Sequence, residues 1–260
     1  MPTLPPVVPA LPTENRFARH LPWTSGFSWL RDGWRDLVTD PLPSLLYGLF
    51  VFLLSIAIIL GLVLLEWDYI LLPALAGFLV FAPVLAVGLY EKSREIERHE
   101  PVTLRRMAFP DIKSGGQIMF TGALLCGLML MWMRAAIIVY ALFFGVQPFP
   151  GSDHIVPMLF GTPTGWAMLV VGSLVGGLFA AFSFAIAVFS LPMMLDKRVD
   201  ALTAMGSSWA LVWNNLSAML VWGAIVLALF LACAATAMLG LILVFPWLGH
   251  ATWHAYKAVR

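Results

Sequence analysis

Two histidines near the end of the chain have the spacing of a ligand pair. His250 and His254 stand four positions apart in the string His-Ala-Thr-Trp-His, so one face of a helix would carry both. Such a pair can bind a metal ion or face a haem iron. The string lacks the glutamate that acts as general base in zinc proteases. Metal or haem binding here is therefore one hypothesis, but we favour a structural pair at the membrane boundary and expect no cofactor.

Arg134 is the one basic residue inside an otherwise apolar stretch, 114–144. A charge at that depth is costly in lipid unless it is paired or reaches the surface. Glu66, Asp68 or Asp153 could pair with it. We expect Arg134 to form an anchoring ion pair, and the alternative is that it holds an anionic ligand.

Residues 91–100, with the sequence Glu-Lys-Ser-Arg-Glu-Ile-Glu-Arg-His-Glu, alternate in charge at helical spacing. Ion pairs between positions four apart stabilise an exposed helix. We expect this segment to continue the second membrane span into the cytoplasm with its charged faces in water. Hydrated carboxylates lack the desolvation that tunes catalytic acids, so no catalysis is expected from them.

The composition excludes an ordinary soluble protein. The chain has 260 residues, of which 61% are hydrophobic and 11% charged, and its mean hydropathy is +0.90. A typical soluble domain is about 45–50% apolar and about 25% charged. The 15 basic and 14 acidic residues nearly balance, so nucleic acid is not an expected partner. The chain is expected to be a polytopic membrane protein.

The sequence lacks the familiar motifs of enzymatic chemistry. It has no glycine-rich phosphate loop, no Cys-x-x-Cys and no Gly-x-Ser-x-Gly. The expected spans contain no aspartate or glutamate, which counts against an ion-coupled transporter. Cys126 and Cys233 lie in apolar stretches and are expected to be buried free thiols.

Charge-free intervals place the membrane spans, because a helix needs about 20 mostly apolar residues to cross a bilayer. We expect an all-α bundle of six transmembrane helices, arranged as three hairpins in one domain over 23–260, after a flexible cytoplasmic tail at 1–22. The interval 201–256 has no Asp, Glu, Lys or Arg, so one long span is the alternative to two short ones there. The Pro- and Gly-rich segment 147–165 is expected to be a loop. The spans are expected at about 42–65, 69–90, 116–144, 166–195, 216–237 and 240–256.

The positions of the basic residues favour six spans. Cytoplasmic loops carry the excess of lysine and arginine. With six spans, all of the 15 basic residues except Arg134 fall on one side. With five spans, Lys257 and Arg260 would lie on the other side. We therefore expect both termini in the cytoplasm.

Two segments are expected to be amphipathic helices in the headgroup plane, one before the first span (27–37) and one before the fifth (199–212). In the first, Phe27 and Trp34 share an apolar face, and Asp36 lies on the opposite, charged face.

Small residues recur at spacings of four in the fourth span, which lets helix backbones approach closely. We expect internal helix packing there, and a dimer or partner seam is the alternative. The residues are Gly172, Ser173, Gly176, Gly177 and Ala181.

Several strings together resemble a proteobacterial family of predicted integral membrane proteins of unknown function. The most specific string is 246–256, Pro-Trp-Leu-Gly-His-Ala-Thr-Trp-His-Ala-Tyr. The others are 33–36, 43–44, 47–48, 88–91, 93–94, Asp196 with 200–201, and 207–208. The resemblance implies six helices in the bacterial inner membrane. Some members are labelled as a cytochrome c oxidase subunit. A catalytic oxidase core needs histidines in several deep spans, which this chain lacks, so the label implies an accessory or assembly role.

The function expected from the sequence is that of a non-enzymatic accessory, assembly or scaffold component, with a respiratory complex as the assembly implied by the resemblance. Its expected partners are the lipid bilayer and other membrane subunits or a second copy of the chain. The alternative function is a carrier or binder of a lipid or small amphiphile, and it is motivated by Arg134.

Overall fold

The computed structural model describes residues 15–110, 114–145 and 152–260, and every regular element in these ranges is a helix. The described ranges contain no strand, as the composition predicts. The helices are α1 (Ser25–Val38), α2 (Pro41–Leu64), α3 (Leu71–Leu85), α4 (Val87–Glu97), α5 (Leu104–Ala108), α6 (Gly115–Phe144), α7 (Ser152–Phe160), α8 (Pro163–Ala187), α9 (Ser190–Asp196), α10 (Ala201–Asn214), α11 (Leu216–Ala235) and α12 (Leu241–Val259).

Five helical stretches are long and apolar enough to cross a membrane, and they agree with the first five expected spans. Two of them are composite, since α3 runs on into α4 and α8 into α9. Each composite stretch has a proline near its junction, which removes a backbone hydrogen bond and breaks the helix. The stretches are Pro41–Leu64, Leu71–Glu97, Gly115–Phe144, Pro163–Asp196 and Leu216–Ala235.

The sixth expected span is a helix, α12, but it is not among the five apolar stretches. Its second half carries His250, His254 and Lys257, which lower its mean hydropathy. The arrangement of six spans in three hairpins therefore stays a prediction.

The last helix, α12, forms the centre of the described structure, because α1, α2 and α4 all pack against it. Two glycines permit this close approach. A Cβ atom built on Gly33 of α1 would overlap the backbone of Ala251, and one built on Gly48 of α2 would overlap the carbonyl of Ile242. Trp247 adds a tie by donating from Nε1 to the Leu30 carbonyl oxygen at 2.7 Å.

Both expected amphipathic segments are helices, α1 and α10. One residue of the expected charged face of α1 departs from the expectation. Asp36 is buried, because its carboxylate lies 2.9 Å from Nε2 of His254 on α12, which is half-buried. Phe27 and Trp34, on the apolar face, are exposed. The position of either helix in the headgroup plane stays a prediction.

Three further expectations need correction or restriction. Part of the expected loop is helical, because Leu159 of α7 is buried and α7 packs on α8, while 147–151 lie outside the described residues. Cys233 is buried as expected, but Cys126 is exposed. Residues 1–14 of the expected tail lie outside the described part, and Arg19 is hydrogen-bonded to the Val259 carbonyl at 2.8 Å.

Candidate functional site

The charged segment on α4 is buried, which contradicts the expectation that it lies in water. The residues from Glu91 to Glu95 each expose 3% or less of their surface. The cause is tertiary packing, because α12, α9 and α5 all pack against α4. Burial of a charged side chain is costly unless a partner is hydrogen-bonded to it.

Lys92 begins a chain of buried hydrogen bonds that joins three helices. Its Nζ donates to the Asp40 carbonyl oxygen and to Ser44 Oγ, both at 2.7 Å. Ser44 Oγ lies 2.9 Å from Nε2 of His250, and Ser93 Oγ lies 2.8 Å from Nδ1 of the same ring. The chain links the start of α2, the middle of α4 and the second half of α12.

The two histidines of the expected ligand pair have different environments. His250 is fully buried, with both ring nitrogens hydrogen-bonded to serines. His254 Nε2 lies 2.9 Å from a carboxylate oxygen of Asp36. Within the described ranges, no group of three or more His, Cys, Asp or Glu side chains is placed to hold a metal ion. Metal or haem binding at His250 and His254 stays a prediction.

A basic cavity of about 510 Å³ lies where the ends of α4, α9 and α12 meet. Three short segments of the chain, 94–98, 196–198 and 257–260, supply its walls. Six of the lining side chains are basic and two are acidic. The lining residues are Arg94, Glu97, Arg98, Asp196, Lys197, Arg198, Lys257 and Arg260.

Both acidic residues of the cavity are already paired across helices. Glu97 Oε1 lies 2.5 Å from Lys257 Nζ, which ties α4 to α12. Asp196 Oδ2 lies 3.0 Å from Arg260 Nη1 and accepts a hydrogen bond from Tyr256 Oη at 2.9 Å. The carboxylates therefore hold the two cations that α12 contributes.

Arg94 is the buried cation of the cavity wall, and protein groups hold it in place. Its guanidinium lies 2.5 Å from Glu91 Oε2 and donates to the Leu195 carbonyl oxygen at 2.6 Å. These contacts join α4 to the end of α9. Arg94 therefore shapes the cavity by fixing two of its walls.

Three basic side chains of the cavity, Arg98, Lys197 and Arg198, form no ion pair with a carboxylate in the ranges 15–110, 114–145 and 152–260. All three are exposed. Ser114 Oγ holds the loop of Lys197 and Arg198, since it contacts the Lys197 carbonyl at 3.3 Å and the Val199 N–H at 3.2 Å. Arg98 caps the end of α4, and its backbone N–H is bonded to the Arg94 carbonyl. These side chains are therefore available to an anion on an ordered support.

Arg106 and Asp200, which lie outside the five candidate spans and outside α12, have shifted pKa values. The pKa of Arg106 is raised by the carboxylates of Glu100 and Glu95, to which it is hydrogen-bonded. The pKa of Asp200 is lowered because its carboxylate accepts from the Thr203 N–H at 2.9 Å. Asp200 thereby caps α10, the helix that follows the cavity loop.

Arg134 is distant in the sequence from the segments that line the cavity, and its side chain is exposed on α6. The side chains of Asp68 and Asp153, two of its expected partners, lie outside the described structure. Both roles expected for Arg134 stay predictions.

The small residues of α8 divide between two faces. Gly172 and Gly176 face α6, and a Cβ atom on Gly176 would meet the Trp132 ring at 2.8 Å. Gly177 has no such neighbour, and with Ser173 and Ala181 it lies on an exposed edge.

Comparison with known proteins gives one match. Residues 71–196, from the start of α3 to the end of α9, match the model of a family described as "Predicted integral membrane protein (DUF2189)". The chain is an integral membrane protein. No curated protein and no solved structure matches it. The family description names no activity, and the expected respiratory role and proteobacterial origin stay predictions.

Sequence reasoning identified His250 but missed Ser44, Lys92 and Ser93, which surround it. A signal for the two serines was present, because Pro43-Ser44, Ser93-Arg94 and 246–256 are among the strings that carry the family resemblance, whereas Lys92 lies in none of them. In the structure these strings converge on the hydrogen-bonded chain. Lys197, Arg198 and Arg98 were used only to infer topology.

Proposed function

We propose that this integral membrane protein binds the anionic headgroup of a lipid or small amphiphile in the basic cavity between α4, α9 and α12. The observation that carries the proposal is the set of three exposed cations, Arg98, Lys197 and Arg198, on the wall of one cavity whose carboxylates are already paired. Lipid binding is the alternative function that the sequence suggested. The basic residues that support it here are Arg98, Lys197 and Arg198, in place of Arg134.

The proposal of a bound anion is supported by the position of the cations, because basic residues from three separate segments meet at one cavity. The positive-inside rule accounts for basic residues on the same side of the membrane but does not require them to meet. Like charges brought together in a concave site raise the free energy of the empty site and attract an anion. The three contributing segments are separated by about a hundred and by about sixty residues in the sequence.

The position of the cavity at the ends of two candidate spans supports a ligand at the level of the headgroups. Its α4 and α9 walls are the ends of the candidate spans Leu71–Glu97 and Pro163–Asp196. Basic pockets at the cytoplasmic ends of transmembrane helices are a recurrent setting for anionic lipid headgroups. We propose that this end faces the cytoplasm of a bacterial inner membrane, with both termini on that side.

The experiment is a lipid titration of the purified protein in a neutral detergent. Short-chain phosphatidylglycerol and phosphatidylcholine with identical acyl chains are compared, and binding is followed by the rise in Tm. Exposed ion pairs are worth about 0.5 kcal/mol each, so three of them give phosphatidylglycerol about a tenfold lower Kd.

The variant R98Q/R198Q removes two cations of the cavity, and R31Q/R105Q removes two exposed arginines elsewhere. The preference for phosphatidylglycerol should fall to about twofold in the first variant and persist in the second. Equal Kd values for the two lipids in the unaltered protein would overturn the proposal.

A scaffold or accessory role is the second candidate, and the exposed edge of α8 favours it. Ser173, Gly177 and Ala181 would let another membrane helix approach closely. The substitution G177L should reduce chemical cross-linking to a second copy or to other membrane subunits. The matched substitution A210L, on α10, should leave it unchanged. Equal cross-linking in G177L and in the unaltered protein would remove the support for this role.

A further inference from the structure

We infer that the cavity prefers a phosphate monoester, whose phosphate carries two negative charges, to a diester, which carries one. The inference rests on the proposed function and specifies the chemical class of the ligand. It depends on which charges in the cavity are already neutralised by protein groups.

Three internal ion pairs neutralise half of the basic side chains that line the cavity. Lys257 is paired with Glu97, Arg260 with Asp196, and Arg94 with Glu91 outside the cavity wall. Arg98, Lys197 and Arg198 remain.

These three cations give the cavity about three positive charges, which a ligand with a single negative charge cannot balance. A diester phosphate would leave about two positive charges close together, whereas a dianionic monoester leaves about one. Arginine and phosphate also form bidentate hydrogen bonds, and a monoester has three terminal oxygens to accept them. Both charge and hydrogen-bond geometry therefore favour the monoester.

The carboxylates of Glu97 and Asp196 oppose a ligand with still more charge. Each carboxylate lies on the cavity wall and bridges to α12. A polyphosphate would have to displace Lys257 or Arg260 from its partner or tolerate repulsion from the carboxylates. The volume of about 510 Å³ is in the range of sites for small ligands, so the phosphate and the group it esterifies would both fit.

A phosphate monoester could be a lipid headgroup or a soluble metabolite, and the experiment separates them. Short-chain phosphatidic acid is the lipid monoester, phosphatidylglycerol with the same acyl chains is the diester, and glycerol 3-phosphate is the soluble monoester. Kd is measured at pH 8, where the second ionisation of a phosphate monoester is complete, since its pKa is about 6. The full chain is used in neutral detergent, unaltered and as R98Q, R198Q, E97Q and E100Q.

We expect phosphatidic acid to bind about fivefold more tightly than phosphatidylglycerol, and each arginine substitution to reduce this ratio. E97Q should tighten the binding of both lipids because it frees Lys257. E100Q removes the same charge from a residue that pairs with Arg106 outside the cavity, and should have little effect. E97Q therefore provides a readout in the direction of gain, which misfolding does not produce, and E100Q is its matched control.

The outcomes separate the inference from the proposed function. Equal Kd values for the two lipids, both tighter than phosphatidylcholine, would overturn the monoester inference and leave the headgroup proposal standing. Binding of glycerol 3-phosphate as tight as that of phosphatidic acid would support the monoester inference and overturn the amphiphile proposal. Weak, equal binding of all probes, unchanged in R98Q, would overturn both.

Discussion

Lys92 and His250, neither of which has exposed surface, are joined through the hydroxyl group of Ser44. An ammonium group can only donate, so Ser44 Oγ accepts from Lys92. The hydroxyl has one hydrogen and a second lone pair, so it donates to Nε2 of His250 in one neutral tautomer of the ring and accepts from Nε2 in the other. Ser93 Oγ is the partner of Nδ1 in both tautomers.

Removal of the shared hydroxyl should destabilise the protein. S44A removes one of the two buried hydrogen-bond partners of Lys92 Nζ and the partner of His250 Nε2, and we expect a loss of about 2 kcal/mol in the free energy of unfolding. S55A is the control, because the Ser55 hydroxyl donates only to the Val51 carbonyl one turn earlier in the same helix. Thermal unfolding in detergent provides the comparison. Equal Tm values for the two variants would show that the hydrogen-bonded chain does not stabilise the fold.

Two glycines of α2 should respond oppositely to alanine. In G48A the new Cβ atom would overlap the Ile242 carbonyl of α12, and overpacking of this kind costs about 1–3 kcal/mol. Gly61 has open space at its Cβ position, so G61A should be neutral or stabilise by up to about 1 kcal/mol through helix propensity. A Tm for G48A at or above that of the unaltered protein would contradict the close packing of α2 on α12.

The cap of α10 should give a pH-dependent contribution to stability. The pKa of Asp200 is lowered by the Thr203 N–H, so its contribution is complete above the ordinary pKa of aspartate, about 3.9, and is lost as the pH falls through the lower folded value. D200A should therefore have a lower Tm than the unaltered protein at pH 7, and the difference should vanish in strong acid. D200N keeps a capping oxygen and should unfold between the two at pH 7. A Tm difference between D200A and the unaltered protein that does not change with pH would exclude this role.

The histidine pair should not retain a metal or haem. Both ring nitrogens of His250 are hydrogen-bonded to serines, so a ligand would have to replace a buried hydrogen bond. Metal analysis and a visible absorption spectrum of the purified protein test this expectation. One metal ion or haem per chain, lost in H250A/H254A, would establish the ligand pair and refute the structural role.

Charge-free intervals predicted the helices well because a bilayer imposes a length on any helix that crosses it. The same reasoning failed for α4, since a helix with alternating charges has the same sequence pattern in water and against a polar interior. The partners that bury it, Ser44 and His250, are about 50 and about 160 residues away, so local pattern could not reveal them. Asp36 was assigned to the outer face of α1 for the same reason, because its partner His254 is equally remote.

The cavity could not be predicted from the sequence, because segments that are remote in the chain form it. Its basic residues were visible, and as a group they were the basis of the predicted topology. Only the packing of α12 against α4 and α9 brings Arg98 and Arg198 to one cavity. The pairing of Glu97 with Lys257 likewise joins residues that no local motif connects.

The most direct test of headgroup binding is native mass spectrometry of the protein released from its own membrane in a mild neutral detergent. The unaltered protein and R31Q/R105Q should each retain an anionic lipid, and R98Q/R198Q should lose it. Retention should also weaken in high salt, because exposed ion pairs are screened. Identical retained lipids in all three proteins, or retention of zwitterionic lipid alone, would contradict the account.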